Sequence, residues 1–190
     1  MSASTGVAGE DASCAVALVN TRHLRSGQWA DLLAEPARAA GWLAERGLLP
    51  RGTAVSGPDT ARLVALRGAV RGLFSARSGQ RVPVVDDVAL LNAALAAAPV
   101  VPELTWDDAG PHRGEHALAA DGPFAVAIAR LARDALRVLT DPAGPEPAPC
   151  GAHGCVRWFL RTHAARQWCS DRCGDRVRAA RHYARHHGTA

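Results

Sequence analysis

The stretch that most limits what this chain can fold into runs from Cys150 to Arg176, CGAHGCVRWFLRTHAARQWCSDRCGDR. It holds four of the five cysteines as two close pairs, Cys150 with Cys155 and Cys169 with Cys173. Each pair is tight enough to grip one metal ion, and the residues between the pairs suffice for a β-hairpin. Thiolates in this number suit tetrahedral Zn²⁺, at about 2.3 Å per Zn–S bond. The opening MSASTGVAGEDAS is small, polar and slightly acidic, unlike a secretory leader, and no apolar run reaches the roughly 18 residues of a membrane span. The expected location is the reducing cytoplasm, with no membrane partner. There, paired cysteines hold metal rather than disulfides.

Charge divides the chain at the same place. Residues 150–190 carry eight arginines against Asp171 and Asp175, or +6, whereas residues 1–149 carry 14 arginines against 16 acids, or −2, which together give the chain's +4. Four ligating thiolates on zinc would lower the tail to about +4. A basic tail on a mildly acidic body is the pattern of a nucleic-acid-binding appendage. All 22 basic residues are arginine, so arginine in place of lysine says nothing about function here.

The expected fold class is α+β: a mainly helical N-terminal domain with a small β-hairpin over residues 13–140, a Pro-rich linker at 141–149, and a treble-clef-like zinc module of hairpin plus helix at 150–188. Residues 1–12 read as frayed, and RHLRSG as a polar connection. The run CAVALVN fits helix or strand equally well. Helices are expected after Pro36, from Ser56-Gly57-Pro58-Asp59 to Ser78-Gly79, after Pro83 with Val84, Val88, Leu91 and Leu95 on one stripe, and from Pro123 to about Leu139. A hairpin is expected around Gly110-Pro111. The segment DPAGPEPAP reads as a stiff extended spacer.

The body has no Walker loop, GxGxxG, GxSxG or HExxH, and no enzyme is expected. His112 and His116 have the spacing of a helical metal pair, but Pro-His-Arg-Gly reads as loop. Asp107-Asp108 reads as a solvated turn and Cys14 as a small hydrophobe. In the tail, Gly151 and Gly154 let the knuckle fold around a metal. A hairpin from Val156–Leu160 through His163–Arg166 to Trp168 returns the chain to Cys169. Ser170 or Asp171 caps a helix with Cys173 in its first turn, where the dipole favours a thiolate. On that helix Val177, Ala180 and Ala184 form a stripe expected to pack on Trp158, Phe159 and Trp168. Arg178, Arg181 and Arg185 fall together facing outward, and Arg172, Arg176 and Tyr183 occupy another sector. These arginines are the candidate nucleic-acid contacts. His153 competes with Cys155 as the metal ligand of the knuckle.

CGDR at 173–176, WCS at 168–170 and the upstream C-x4-C pair resemble the CGNR zinc-finger family. ALVNTR at 17–22, the helix near Trp42 and the LxxLR-like run at 63–67 resemble the ABATE domain that precedes that finger. The two resemblances span most of the chain. They imply a stress-induced bacterial transcriptional regulator whose finger binds double-stranded DNA, with structural zinc on Cys150, Cys155, Cys169 and Cys173 and the motif's Gly and Arg at Gly174 and Arg176. Asp175 stands where the family has Asn, and an acid there accepts hydrogen bonds but cannot donate them. Arg161 stands where an acid is expected. The alternative reading is a protein-interaction or ligand-sensing module without nucleic acid. RNA in place of DNA, a small-molecule effector on the N-terminal domain and a homodimer all remain open.

Overall fold

The short helix α1 (Cys14–Val19) lies at the centre of the molecule, with Ala15 to Val19 all buried. A computed structural model describes residues 6–25, 27–118 and 121–187. Ser13 caps α1 by accepting from Val16 N at 3.2 Å. Its own hydroxyl donates to Asp134 Oδ2 at 2.6 Å, which also accepts from Ala15 N at 2.9 Å. A carboxylate thus sits at the positive end of the helix and ties it to α5 (Pro123–Thr140). The apolar run is therefore helical; it is too buried for its periodicity to show which.

Helices α3 (Gly57–Arg77) and α5 pack on α1, while α2 (Pro36–Glu45) packs on α3 and α4 (Val85–Ala96) on α3 and α5. The Ser56–Asp59 capping box starts α3, and Leu63, Leu66, Val70, Leu73 and Phe74 face the core as their spacing predicts. On α4 the predicted stripe is half right: Leu91 is buried, while Val84 and Val88 are exposed. The segment expected as a polar connection is a hairpin, β1 (Arg22–Arg25) with β2 (Gln28–Asp31). The hairpin expected near Gly110 forms as β3 (Val100–Asp107) with β4 (Gly110–Ala117). Among the described residues, no helix is long and apolar enough to cross a membrane.

The C-terminal unit is not hung on a spacer. Glu146–Pro149, within the stretch read as linker, is strand β5, antiparallel to β6 (Trp158–Arg161), with Ala148 and Pro147 buried. The hairpin's partner for β6 is thus β5, across the Cys150–Cys155 knuckle, and not the residues around Trp168. Prolines at 147 and 149 cannot donate, so they suit an edge strand and look like linker in sequence. Helix α6 (Asp171–His187) completes the hairpin-plus-helix unit.

Several contacts fuse this unit to the body. Asn20 Nδ2 donates to the Trp158 carbonyl at 2.9 Å, and Trp158 N donates to Asn20 Oδ1 at 2.8 Å, while the Trp158 ring sits 5.9 Å from that of Phe74. The N-terminal segment, expected to fray, is ordered from Val7: Ala8 N donates to Cys169 O at 2.9 Å, and Leu160 N to Ala8 O at 3.1 Å. Val7 is buried with Phe159, Ala148, Cys150, Ala152 and Cys169 in the second core. Residues 1–5 lie outside the described residues.

Candidate metal centre and its basic helix

The knuckle is shaped by backbone bonds: Cys150 N to Arg157 O, Gly151 N to Gln167 O and Cys155 N to Ala152 O, each at 2.9 Å. Gly154 takes φ of 69°, the left-handed turn that glycine adopts without strain. The second pair comes from the start of α6. Ser170 Oγ accepts from Cys173 N at 3.4 Å, and Ser170 O accepts from Cys173 N and Gly174 N at 3.1 and 3.2 Å. The hydroxyl therefore caps the helix and turns Cys173 back toward the knuckle.

These two supports bring all four predicted sulfurs within 4.8 Å of one another. Cys155 Sγ is 3.9 Å from Cys169 Sγ, and Cys169 Sγ is 3.7 Å from Cys173 Sγ. A tetrahedron with Zn–S bonds of about 2.3 Å has edges of about 3.8 Å, so these spacings suit a zinc site. Hydrogen bonds from Cys155 and Cys169 hold Cys150 far below the ordinary thiol range. The same bond raises Cys155 to about 11, and bonds to Cys150 and Cys155 push Cys169 higher still. Thiolates this close repel one another, so four of them together need a divalent charge among them. Exposed His153 is outside the cluster. Cys14 is half-buried beside α5, its thiol raised chiefly by burial, and takes no part.

The other candidates disperse. His112 and His116 lie on strand β4, where four residues span about 13 Å, too far for one metal. His112 instead meets Asp107 at 2.8 Å, and Asp107 accepts from Ala109 N at the exposed turn.

On α6 only the first two turns touch the module. Cys173 and Val177 are half-buried and Gly174 is buried, whereas Ala180 and Ala184, expected to pack, are exposed. A Cβ on Gly174 would lie 3.2 Å from the Trp168 ring, which explains the glycine after the last cysteine. From Arg178 to His186 every residue is exposed, so this half of the helix projects from the body. Arg176 Nη2 lies 3.8 Å from Cys173 Sγ. Arg178 pairs with Asp175 at 2.6 Å and lies over Trp168, 5.8 Å from the ring centroid. Asp175, the departure from the family motif, therefore holds Arg178. Arg172, Arg181 and Arg185 form no ion pair among the described residues and are exposed.

Sequence reasoning missed the residues that seat the module. Asn20 and Thr21 are buried parts of the ALVNTR run, and Thr21 Oγ1 accepts from Arg67 at 3.1 Å. Arg67 grips Asp31 with two bonds, at 2.6 and 2.8 Å. Arg71 donates to Val156 O, one residue past Cys155, at 3.0 Å. Asn-Thr closing an apolar run was the signal; its partner is 138 residues away.

Comparison with known families agrees with this geometry. A family model described as "Putative stress-induced transcription regulator", ABATE, matches residues 12–142, and the CGNR zinc finger model matches residues 148–186. Neither describes an enzyme. No curated protein matches the chain. With the first model covering more than half of the chain and the second falling on the sulfur cluster, this protein belongs to the ABATE family of transcription regulators and carries a C-terminal CGNR zinc finger suited to a structural zinc.

Proposed function

We propose that the finger binds double-stranded DNA through the projecting half of α6. One observation carries this reading: α6 projects from the protein beyond Val177 with Arg178, Arg181 and Arg185 together on one side, while Arg172 and Arg176 are exposed on the other side of its root. At about 100° per residue, Arg181 and Arg185 lie within about 40° of each other, as do Arg172 and Arg176, and the two pairs face nearly opposite ways. An α-helix of about 10–12 Å diameter fills a major groove about 12 Å wide, so arginines on both flanks reach the phosphates of both bounding strands. Arg178, held by Asp175 and Trp168, stiffens the root of the helix and reinforces the Arg181–Arg185 side. Zinc holds that root. Four protein sulfurs are a full set for tetrahedral zinc, which suits a structural role.

Fluorescence anisotropy of the full chain on duplex DNA across a salt series tests the proposal. The log–log slope should be roughly −3 to −5, and Arg181→Ala with Arg185→Ala should reduce it by about 2. Cys169→Ser should abolish both zinc retention and binding. Salt-independent binding, or none to any duplex, would sink the reading.

A further inference from the structure

The hairpin β3–β4 stands apart from the rest of the fold. Neither strand packs broadly on another element; Glu115 reaches Arg133 of α5 only at 3.9 Å. Its two outer edges are unpaired among the described residues, and Leu104 and Trp106 are 71% and 73% exposed. A lone two-stranded ribbon is marginal in water and gains stability from further strands.

The two edges differ. Proline has no N–H for a ladder, so Pro102 and Pro111 belong to the pairs whose backbone groups turn away from the partner strand. The bond from Leu118 N to Pro99 O, at 2.8 Å, falls in the opposite class, as alternation requires. Leu104 and Trp106 therefore point their backbone groups out from β3, and Arg113, Glu115 and Ala117 from β4. On β3 the missing donor of Pro102 interrupts the edge. On β4 the gap is at Pro111, near the hairpin turn, and the run from Arg113 to Ala117 is intact.

We propose that this protein dimerises by pairing the outer edge of β4 with the same edge of a second copy, antiparallel about a two-fold axis at Gly114. That register sets Arg113 opposite Glu115 of the second copy and Glu115 opposite Arg113 of the second copy, each rung exchanging its N–H and C=O. Gly114 faces Gly114 at the axis, where no side chain obstructs the close approach of the strands. The neighbouring registers that keep outward groups facing each other place Arg113 on Arg113 or Glu115 on Glu115. Charge therefore selects the Gly114 axis and this occupant: the edge is complementary to itself. The product is one four-stranded sheet, β3–β4–β4–β3, with the Pro102 edges outermost.

Sedimentation of the full zinc-loaded chain over a concentration series tests this. The wild type should show a monomer–dimer equilibrium. Arg113→Glu, which turns both pairs into like charges, should raise the dimer dissociation constant by about tenfold or more, and Arg113→Glu with Glu115→Arg should restore most of the loss. The exposed contact to Arg133 contributes little to either variant. Arg113→Pro removes an outward N–H that no bond within the ribbon uses; it should leave the far-UV circular dichroism unchanged and abolish the dimer. A wild type that stays monomeric at every concentration, or a dimer indifferent to Arg113→Glu and Arg113→Pro, overturns the proposal.

Discussion

Replacing Asn20 by Ala should uncouple the finger from the body without touching a sulfur. Trp158 lies opposite Pro149 in the β5–β6 ladder, in a pair whose backbone groups turn away from each other, so its N–H and C=O point out from the free edge of β6. The Asn20 amide meets them there, giving one bond and receiving one at 2.9 and 2.8 Å, with both residues 3% exposed. A side-chain amide thus acts as the peptide of a neighbouring strand. Its removal loses two bonds of about 1 kcal/mol each and leaves a buried N–H and C=O at roughly 1–3 kcal/mol apiece, partly relieved if water enters. These contributions overlap, and a net loss of about 3 kcal/mol is expected, roughly 100-fold in the folded-to-unfolded ratio. Asn20→Asp should cost at least as much, because an oxygen would then face the Trp158 carbonyl and a charge would be buried. Urea unfolding at saturating zinc, followed by far-UV circular dichroism, reads this as a lower midpoint with unchanged slope. A loss under about 1 kcal/mol, or an Asp variant as stable as the wild type, would refute the surrogate-strand argument.

Two further perturbations probe the seat of the module. Gly9 has φ of 89°, and a Cβ there would lie 2.6 Å from Leu160 Cγ, whereas Gly52, at φ of 82°, faces open space. Gly9→Ala should therefore cost about 2–3 kcal/mol and speed zinc loss to a chelating dye, while Gly52→Ala costs only its backbone strain of about 1 kcal/mol; equal costs would remove the N-terminal segment from the module's support. For Asp31, burial acts to raise the carboxyl, but hydrogen bonds from Arg67 and Leu33 N outweigh it and hold the group below the usual range. With a depressed folded value, its contribution is present above about pH 4 and is lost as pH falls through the folded value. Asp31→Asn should therefore destabilise the protein at neutral pH and flatten the acid limb of its stability curve; an acid limb as steep as that of the wild type would contradict this.

The parts of the fold legible in sequence were those that declare themselves locally. The capping box and three- and four-residue spacing of α3, the periodic face of α5 and the glycine-bearing knuckle each carry their signal within a few turns. Hairpin β1–β2 was hidden because Arg22, His23 and Arg25 give no apolar alternation. Strand β5 was hidden because proline at two of its four positions reads as spacer. Ala180 and Ala184 looked like a packing stripe because alanine fits either side of an interface, and nothing local says that the module ends at Val177. The four sulfurs were predictable as a set. The Asn20, Arg71 and Ala8 contacts that hold the module in place join residues far apart in the chain, and no local pattern reveals them.

That last group of contacts also bears on how the protein is made. Ser13 waits for Asp134, Asn20 for Trp158, and Ala8 for Leu160 and Cys169. The segment from Ala8 to Asn20 thus emerges well before its partners, and α1, the buried centre, cannot be enclosed until α5 and the finger have followed it. Loops this long close slowly, and the exposed apolar run Ala15–Val19 is meanwhile a site for chaperones or for aggregation. Closure around the finger then waits on the metal that draws Cys150, Cys155, Cys169 and Cys173 together.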